Sequence, residues 1–408
     1  MQIHNKVLGG ALLVAGTTIG AGVLGLPLVT GLAGLWPSIC LLLIYWCYMT
    51  FTAFLMLEVN LCIGGNINLI TMAKHTLGKA GEIVSWVVYL FLLYSLTTAY
   101  LAVGGPVLVD FVYATTKVAL PSWAGSLPLL FIFGFFVYEG TKYVDFVNRI
   151  FMFGLIIAYG AMVFLLVPHI DRSYFHYADW NNPLLAVSLV ATSFGFHIII
   201  PTLTTYMHHN TQKLVKALLI GTFIPVVVYV IWEIVTLGVI PISGENGLLE
   251  GYKQDINTAR LLSRIMGDSW VALAAQFFSF FAIITSFLGV TLSLSDFLAD
   301  GLRVKKTHLG RMILFTLTFL PPLVIILTYP RVFLTALEFA GAFGVVILLG
   351  LLPALMAWSA RYRKKMKAPF TTPGGKIALL AAIIFSLAVM GIEIGNKTGY
   401  IEWIILKG

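Results

Sequence analysis

Charged residues are scarce in this chain. Lys and Arg number 25 and Asp and Glu 17, a tenth of 408 residues, where a soluble protein carries about a quarter. That is too little polar surface to coat a water-soluble globule, and a mean hydropathy of +0.95 agrees. The three cysteines, Cys40, Cys47 and Cys62, fall in one apolar block. They make no disulfide framework and read as packing residues. The sequence has no HExxH and no His or Cys cluster at metal-ligand spacing, so metal chemistry lacks a ligand set. MQIHNKVLGG at the start has no small-residue cleavage site, and no removable signal peptide is expected. Apolar residues, by contrast, make up 59% of the chain, which excludes disorder. They come in long blocks such as LLFIFGFFVY (129–138), without the alternation of a membrane β-barrel. The chain reads as an all-α integral membrane protein.

A helix needs about 20 apolar residues to cross a bilayer. Eleven segments qualify, near 6–32, 36–63, 82–112, 126–140, 146–168, 183–207, 213–239, 269–299, 309–328, 331–359 and 375–395, the fourth being short. With the N-terminus cytoplasmic, the inner loops hold 17 of the 25 Lys and Arg, concentrated at 303–311 and 361–376. That bias predicts an inside N-terminus and, after eleven crossings, an outside C-terminus. The net charge of +8 is then a topology signal in contact with anionic lipid, and no nucleic acid is needed to explain it. No loop is long enough for a second domain, so 1–408 reads as one membrane-embedded unit. INTARLLSRIMG (256–267) reads as a short helix capping the outer mouth.

Glycine is concentrated inside the first segment, in AGTTIGAGVLGLP (15–27), at a density costly to a continuous helix. Gly16 and Gly20 also form GxxxG, which close helix packing alone would explain. A second interruption, ATSFGFHIIIP (191–201), falls in the sixth segment. Breaks five helices apart are the mark of a secondary transporter built from inverted repeats, here helices 1–5 (6–168) and 6–10 (183–359) with an extra helix (375–395). Unwinding frees backbone groups that lipid cannot satisfy and a ligand can. The half-helix starting near Ala21 offers N–H groups and a positive dipole end to a carboxylate. Carbonyls before Thr17 and Phe194 offer the opposite pole to an ammonium or a cation. A zwitterionic amino acid fits both.

At these residues the chain resembles the hydroxy and aromatic amino acid permeases of the amino acid–polyamine–organocation superfamily, most closely their tyrosine-transporting members. The blocks that carry the resemblance are GTTIGAGVLGLP (16–27), LLYSLTTAYLAVGG (92–105), TSFGFHIIIPTL (192–203), TSFLGVTLSLSDFLADGL (285–302) and EFAGAFGVVILLGLLPALMAW (338–358). The resemblance implies a LeuT-like five-plus-five fold with an eleventh helix. It also implies proton-driven import of an aromatic amino acid across a bacterial inner membrane, with no cofactor and no obligate protein partner. Ile198, Ile199 and Ile200 stand where relatives often have small or polar residues.

Carried onto this sequence, the LeuT-like layout makes Thr17, Thr18, Gly20, Ala21 and Gly22 hold the substrate backbone, with Ser193 and Phe196 facing the same cavity. In the third helix Tyr94, Thr97, Thr98, Leu101 and Gly105 share one face at helical spacing, and a polar stripe in a membrane helix faces protein or water. Packing hydrogen bonds explain that stripe equally well. Thr285 and Ser286, with the carbonyls of Gly16 and Ile19, match the oxygen cage of sodium-coupled relatives. A proton-coupled carrier needs a titrating group within the membrane. His197, inside the second break, is the sharper candidate, as proton carrier, substrate ligand or backbone brace. Glu58 is the better placed carboxylate, with an interfacial pair to a cytosolic Lys as its other reading, whereas Glu233 and Glu338 read as structural. Transport of tryptophan, serine or threonine is the alternative within the class. A membrane-embedded enzyme would need a catalytic cluster that the sequence lacks, and a channel would not need two breaks.

Overall fold

The computed structural model describes residues 6–65, 67–118, 120–180, 182–267 and 270–399. Among these residues the chain is helical and without strands, and nine helices are long and apolar enough to cross a membrane. Span 1 is a bent pair, Lys6–Thr18 and Gly22–Ala33, at 51° to each other. Span 2 is Leu35–Ile63. Span 3 lies within the helix Leu69–Thr116, which Gly78, at φ 78°, divides into a short surface helix and the crossing. Span 4, Trp123–Glu139, is a shorter apolar helix. Span 5 is Thr141–Leu166, and span 6 is Val187–Tyr206, interrupted after Ser193. Spans 7 to 9 are Thr211–Leu237, Trp270–Gly301 and His308–Thr328. Span 10, Phe333–Arg363, contains a long π-helical stretch at Ala340–Leu351, and span 11 is Gly375–Lys397. These elements coincide with the eleven segments expected from hydropathy. The first helix runs on to Thr18, slightly past the expected break.

The surface is apolar as well as the core. Phe153, Phe164 and Ile384 are among the most exposed side chains, as a lipid-facing surface requires. Exposed Trp270 and Tyr329 sit at the ends of spans 8 and 9, the places where amphipathic rings meet headgroups. Cys40 and Cys47 are exposed and Cys62 half-buried, so the first two are lipid-facing rather than packing residues.

Span 7 packs on the first half of span 1 and on span 2, while span 8 packs on spans 3 and 5. Span 10 touches spans 2, 3, 6 and 11. It approaches span 6 so closely that a Cβ on Gly341 would overlap the Ser188 carbonyl oxygen, an approach that only glycine permits. Short helices Leu248–Lys253 and Thr258–Met266 follow span 7. Asp255 between them accepts the N–H groups of Phe333 and Leu334 at 2.7 and 2.9 Å and so caps span 10.

Candidate functional site

Both interruptions are real breaks in the backbone. After Thr18 the chain turns extended at Gly20 (φ −141°, ψ −163°) and resumes as a tight turn, Ala21–Leu24, whose first hydrogen bond is Val23 N–H to the Gly20 carbonyl at 3.1 Å. The opening N–H groups of such a turn have no partner within it. In span 6, Ser193 ends one helix, and Phe194–Phe196 form an irregular segment before His197–Ile199 and Ile200–Tyr206.

One residue of span 7 ties the two breaks together. The buried Tyr229 hydroxyl lies 2.8 Å from the Thr18 carbonyl and 2.8 Å from the Ser193 carbonyl, and its ring packs edge-on against Phe194. Each carbonyl would otherwise be an orphan helix end in an apolar interior. Tyr229→Phe should therefore cost about 1–3 kcal/mol, the desolvation penalty of an unpaired buried acceptor. It should also lower substrate affinity more than tenfold, because both walls of the site lose their register. Thermal unfolding and substrate titration of the purified variant check the two parts separately.

The breaks border a cavity of about 290 Å3, at the lower edge of small-molecule sites. One wall is the end of the first helix and the break that follows it in span 1: Gly16, Thr17, Thr18, Ile19, Gly20 and Gly22. Thr192, Ser193 and Gly195 come from span 6, and Thr285 and Ser286 from span 8. The opposite wall is apolar and aromatic, with Tyr89, Leu92, Leu96 and Tyr100 of span 3 and Val345 and Leu349 of span 10. Asn148 and Met152 of span 5 complete it. Among the described residues no Lys, Arg, Asp or Glu lines this cavity. Of the glycines here, Gly20 and Gly22 have the least room beside a serine hydroxyl. A Cβ on Gly20 would meet Ser286 Oγ at 2.7 Å, and one on Gly22 would meet Ser193 Oγ at 3.1 Å.

Tyr89 and Tyr100 lie eleven residues apart on one helix, a rise of about 16 Å. The cavity therefore reaches from the breaks toward the face on which the chain begins. On the other face it is sealed. Thr258 donates to the Leu24 carbonyl at 2.7 Å and Trp232 Nε1 to the Val23 carbonyl at 2.9 Å. Arg260 grips Asp110 of span 3 with two contacts, Nη2 at 2.9 Å and Nε at 2.7 Å.

Several expected residues stand elsewhere. Tyr94, Thr97 and Thr98 are on a different face of span 3. Tyr94 donates to the Leu317 carbonyl, while Thr97 and Thr98 donate back to Leu93 and Tyr94. A helical threonine satisfies its own hydroxyl in this way, so the stripe needed no water. Leu101 of that stripe is also absent from the cavity lining, and its carbonyl accepts from Ser126 of span 4. Phe196 and His197 are buried behind the cavity wall with their rings 4.7 Å apart. His197 Nε2 lies 2.9 Å from Thr52 Oγ1 of span 2, the geometry of a brace. Glu58 is far from the cavity. It accepts Arg361 Nε at 2.6 Å and Nη2 at 2.5 Å, together with the Thr372 N–H at 2.7 Å. The partner is an arginine of span 10 rather than a loop lysine. Ala21 opens the turn at Ala21–Leu24.

The oxygen-cage residues Gly16, Ile19, Thr285 and Ser286 all line the cavity. The Thr285 hydroxyl donates to the Phe281 carbonyl at 2.8 Å, and Ser286 is hydrogen-bonded by Tyr100. Among the described residues no cluster of His, Cys, Asp and Glu could hold a metal ion. Tyr100, Asn148 and Tyr229 escaped the sequence reading. Their signals were a second tyrosine three turns from Tyr89, an amide on a membrane helix, and a tyrosine at mid-span instead of an interface.

The comparisons with known proteins agree with this geometry. The model of the tryptophan/tyrosine permease family matches residues 3–393. The tyrosine-specific transport system 1 of Haemophilus influenzae is 34% identical, over 98% of this chain and the whole of the relative. A tryptophan-specific transport protein of the same organism is 31% identical over 98% of each chain. A tryptophan-specific transport protein of Pseudomonas aeruginosa is 32% identical over 94% of this chain and 93% of its own. With its interrupted spans bordering one uncharged cavity and family similarity along almost its whole length, this multi-pass membrane chain belongs to the tryptophan/tyrosine permease family of transporters.

Proposed function

We propose that the chain imports L-tyrosine or a related aromatic amino acid by proton symport, through alternating access. The observation that carries this reading is the cavity itself. It joins two unwound helix segments and, among the described residues, is lined by no charged side chain. A ligand with a fixed net charge would be unbalanced there, whereas a zwitterion can place its carboxylate at the free N–H groups near Ala21–Gly22 and its ammonium near the carbonyls of the broken ends. The apolar wall of Tyr89, Leu92, Leu96 and Tyr100 suits an aromatic ring. Thr17, Thr18, Gly20, Ala21, Gly22 and Ser193 are the backbone-binding set in this reading.

The packing of span 7 on spans 1 and 2, and of span 8 on spans 3 and 5, supports a LeuT-like arrangement with repeats at 6–168 and 183–359 and an extra helix at 375–395. Spans 1, 2, 6 and 7 then rock against 3, 4, 8 and 9. The Lys and Arg bias supports a cytoplasmic N-terminus in a bacterial inner membrane, and the open end of the cavity then faces the cytoplasm. Tryptophan is the second reading, because relatives of near-equal similarity are named for it. Sodium in place of the proton would use Gly16, Ile19, Thr285 and Ser286.

The test is uptake of labelled L-tyrosine into proteoliposomes under an imposed pH gradient, with and without sodium. Accumulation is expected to need the gradient and to ignore sodium. A sodium requirement would move coupling to Thr285 and Ser286. Preferential competition by tryptophan would reassign the substrate.

A further inference from the structure

Span 7 meets the outer half of span 1 through two successive side chains, Trp232 and Glu233. Glu233 is fully buried. Its Oε1 lies 2.8 Å from Thr30 Oγ1, and its Oε2 has no hydrogen-bond partner. Thr30 Oγ1 also lies 2.8 Å from the Leu26 carbonyl, the usual back-bond of a helical threonine. A threonine hydroxyl has one proton. Donated to the Leu26 carbonyl, which can only accept, it leaves none for the carboxyl group. Whenever the hydroxyl proton goes to the Leu26 carbonyl, the 2.8 Å contact between Thr30 Oγ1 and Glu233 Oε1 can be a hydrogen bond only if Glu233 carries a proton of its own and donates it.

The surroundings agree. The outer helix Leu26–Thr30 has no titratable side chain. Lys6, at the start of span 1, is bonded to His208. From span 5 the facing group is Tyr159, whose ring packs on Trp232 and whose hydroxyl donates to the Val228 carbonyl. Tyr229 is engaged on the two breaks. From span 2, Tyr45 and Tyr48 turn to Phe385, and Glu58 is paired with Arg361. Among the outer segments, Glu250 is bonded to Gln254, Lys253 is exposed and the Asp171 N–H bonds the Gly238 carbonyl. No Lys, Arg or His pairs with Glu233 among the described residues. Glu338 and Glu393, the other buried outer carboxylates, differ in having Lys397 beside them.

We infer that Glu233 is the site of the coupling proton, and that its protonation permits the outer half of span 1 to close. This rests on the proton-symport reading above. An ionised carboxylate enclosed here would be an unpaired charge in apolar surroundings, so the outer half stays open and hydrated until a proton arrives from the outer water. Proton binding converts the carboxylate to the acid, and no other bond changes. The acid then donates to Thr30, and the Trp232 contact to Val23 closes beside it. In this inference the sealed arrangement of Thr258, Trp232 and the Leu24 and Val23 carbonyls corresponds to the protonated carrier.

The experiment uses the full-length protein in proteoliposomes and two readouts. One is pH-gradient-driven accumulation of labelled L-tyrosine, or of L-tryptophan if that is what accumulates. The other is gradient-free exchange of the same amino acid measured from acid to alkaline pH. Glu233→Gln has the shape of the neutral acid and still donates to Thr30. It should keep exchange, flatten its pH profile and lose at least tenfold in accumulation. Wild-type accumulation under the gradient, or a wild-type pH profile for exchange, overturns the proposal. So does loss of exchange in folded protein, which would make Glu233 a structural residue. Thr30→Val removes the acceptor of the acid's proton and should shift the exchange profile toward lower pH; an unmoved profile overturns the proposal independently of how well the glutamine variant folds. Wild-type protein that accumulates without a pH gradient would instead sink the proton-symport reading on which this one rests.

Discussion

Gly20→Leu is expected to abolish substrate binding and uptake while leaving the helices assembled. Gly20 is where the extended backbone faces the cavity, and a Cβ there would stand 2.7 Å from Ser286 Oγ. The rest of a leucine side chain has nowhere to go but the space the amino acid would fill, so affinity should fall by more than about 100-fold, or roughly 3 kcal/mol. Gly20→Ala is a milder probe, because overpacking by one methyl costs about 1–3 kcal/mol. Its pressure falls on the hydroxyl that Tyr100 holds. Adding Ser286→Ala should then recover much of the binding lost in Gly20→Ala, whereas Ser286→Ala should do nothing for Gly20→Leu. Isothermal titration or scintillation proximity binding on the four purified variants gives the comparison. Undiminished binding by Gly20→Leu would mean that the substrate does not approach span 1 at its break.

The parts of this site that were readable from sequence are those written in backbone chemistry. Glycine density at 16–25 and the Gly195–Pro201 interval marked both breaks, because a helix rich in glycine costs energy that only a special backbone geometry explains. Hydropathy located the spans, because the bilayer fixes their length. Side-chain direction was not readable in the same way. On span 3 the conspicuous hydroxyls of Tyr94, Thr97 and Thr98 suggested the cavity face, yet a threonine in a helix can satisfy itself by back-bonding, and these do. The cavity face is instead the less conspicuous set of Tyr89, Leu92, Leu96 and Tyr100. Likewise His197 drew attention as the one imidazole in a break, but helix rotation takes it toward Thr52 of span 2. Rotation about a helix axis is set by long-range packing, and Tyr229, which connects both breaks, is visible only once span 7 is laid against them.

Glu58→Ala should be among the most destabilising single changes in the chain. Glu58 and Arg361 are both largely buried, with side chains 3% and 12% exposed. The carboxylate also holds the Thr372 N–H, while Arg361 reaches the Thr372 carbonyl at 2.9 Å. Span 2, the end of span 10 and the loop beyond it are thus pinned at one point. Ser359, donating to the Thr76 carbonyl at 2.6 Å, adds a second tie nearby, and Lys364 bonds the His75 carbonyl. Removing one partner of a buried pair leaves the other as an uncompensated charge, at about 3–5 kcal/mol, a large share of the 5–15 kcal/mol that keeps a typical protein folded. Replacing both residues with methionine removes the charges together and should restore most of that loss. The same pair of variants separates a latch from a proton carrier. If Glu58 carried the coupling proton, folded Glu58→Gln would lose gradient-driven accumulation and keep exchange. A latch loses both in proportion to the protein that remains folded, and the methionine pair regains both together. Thermal unfolding in detergent, followed by accumulation and exchange normalised to folded protein, distinguishes the two. Restoration of stability without restoration of accumulation would return Glu58 to the proton path.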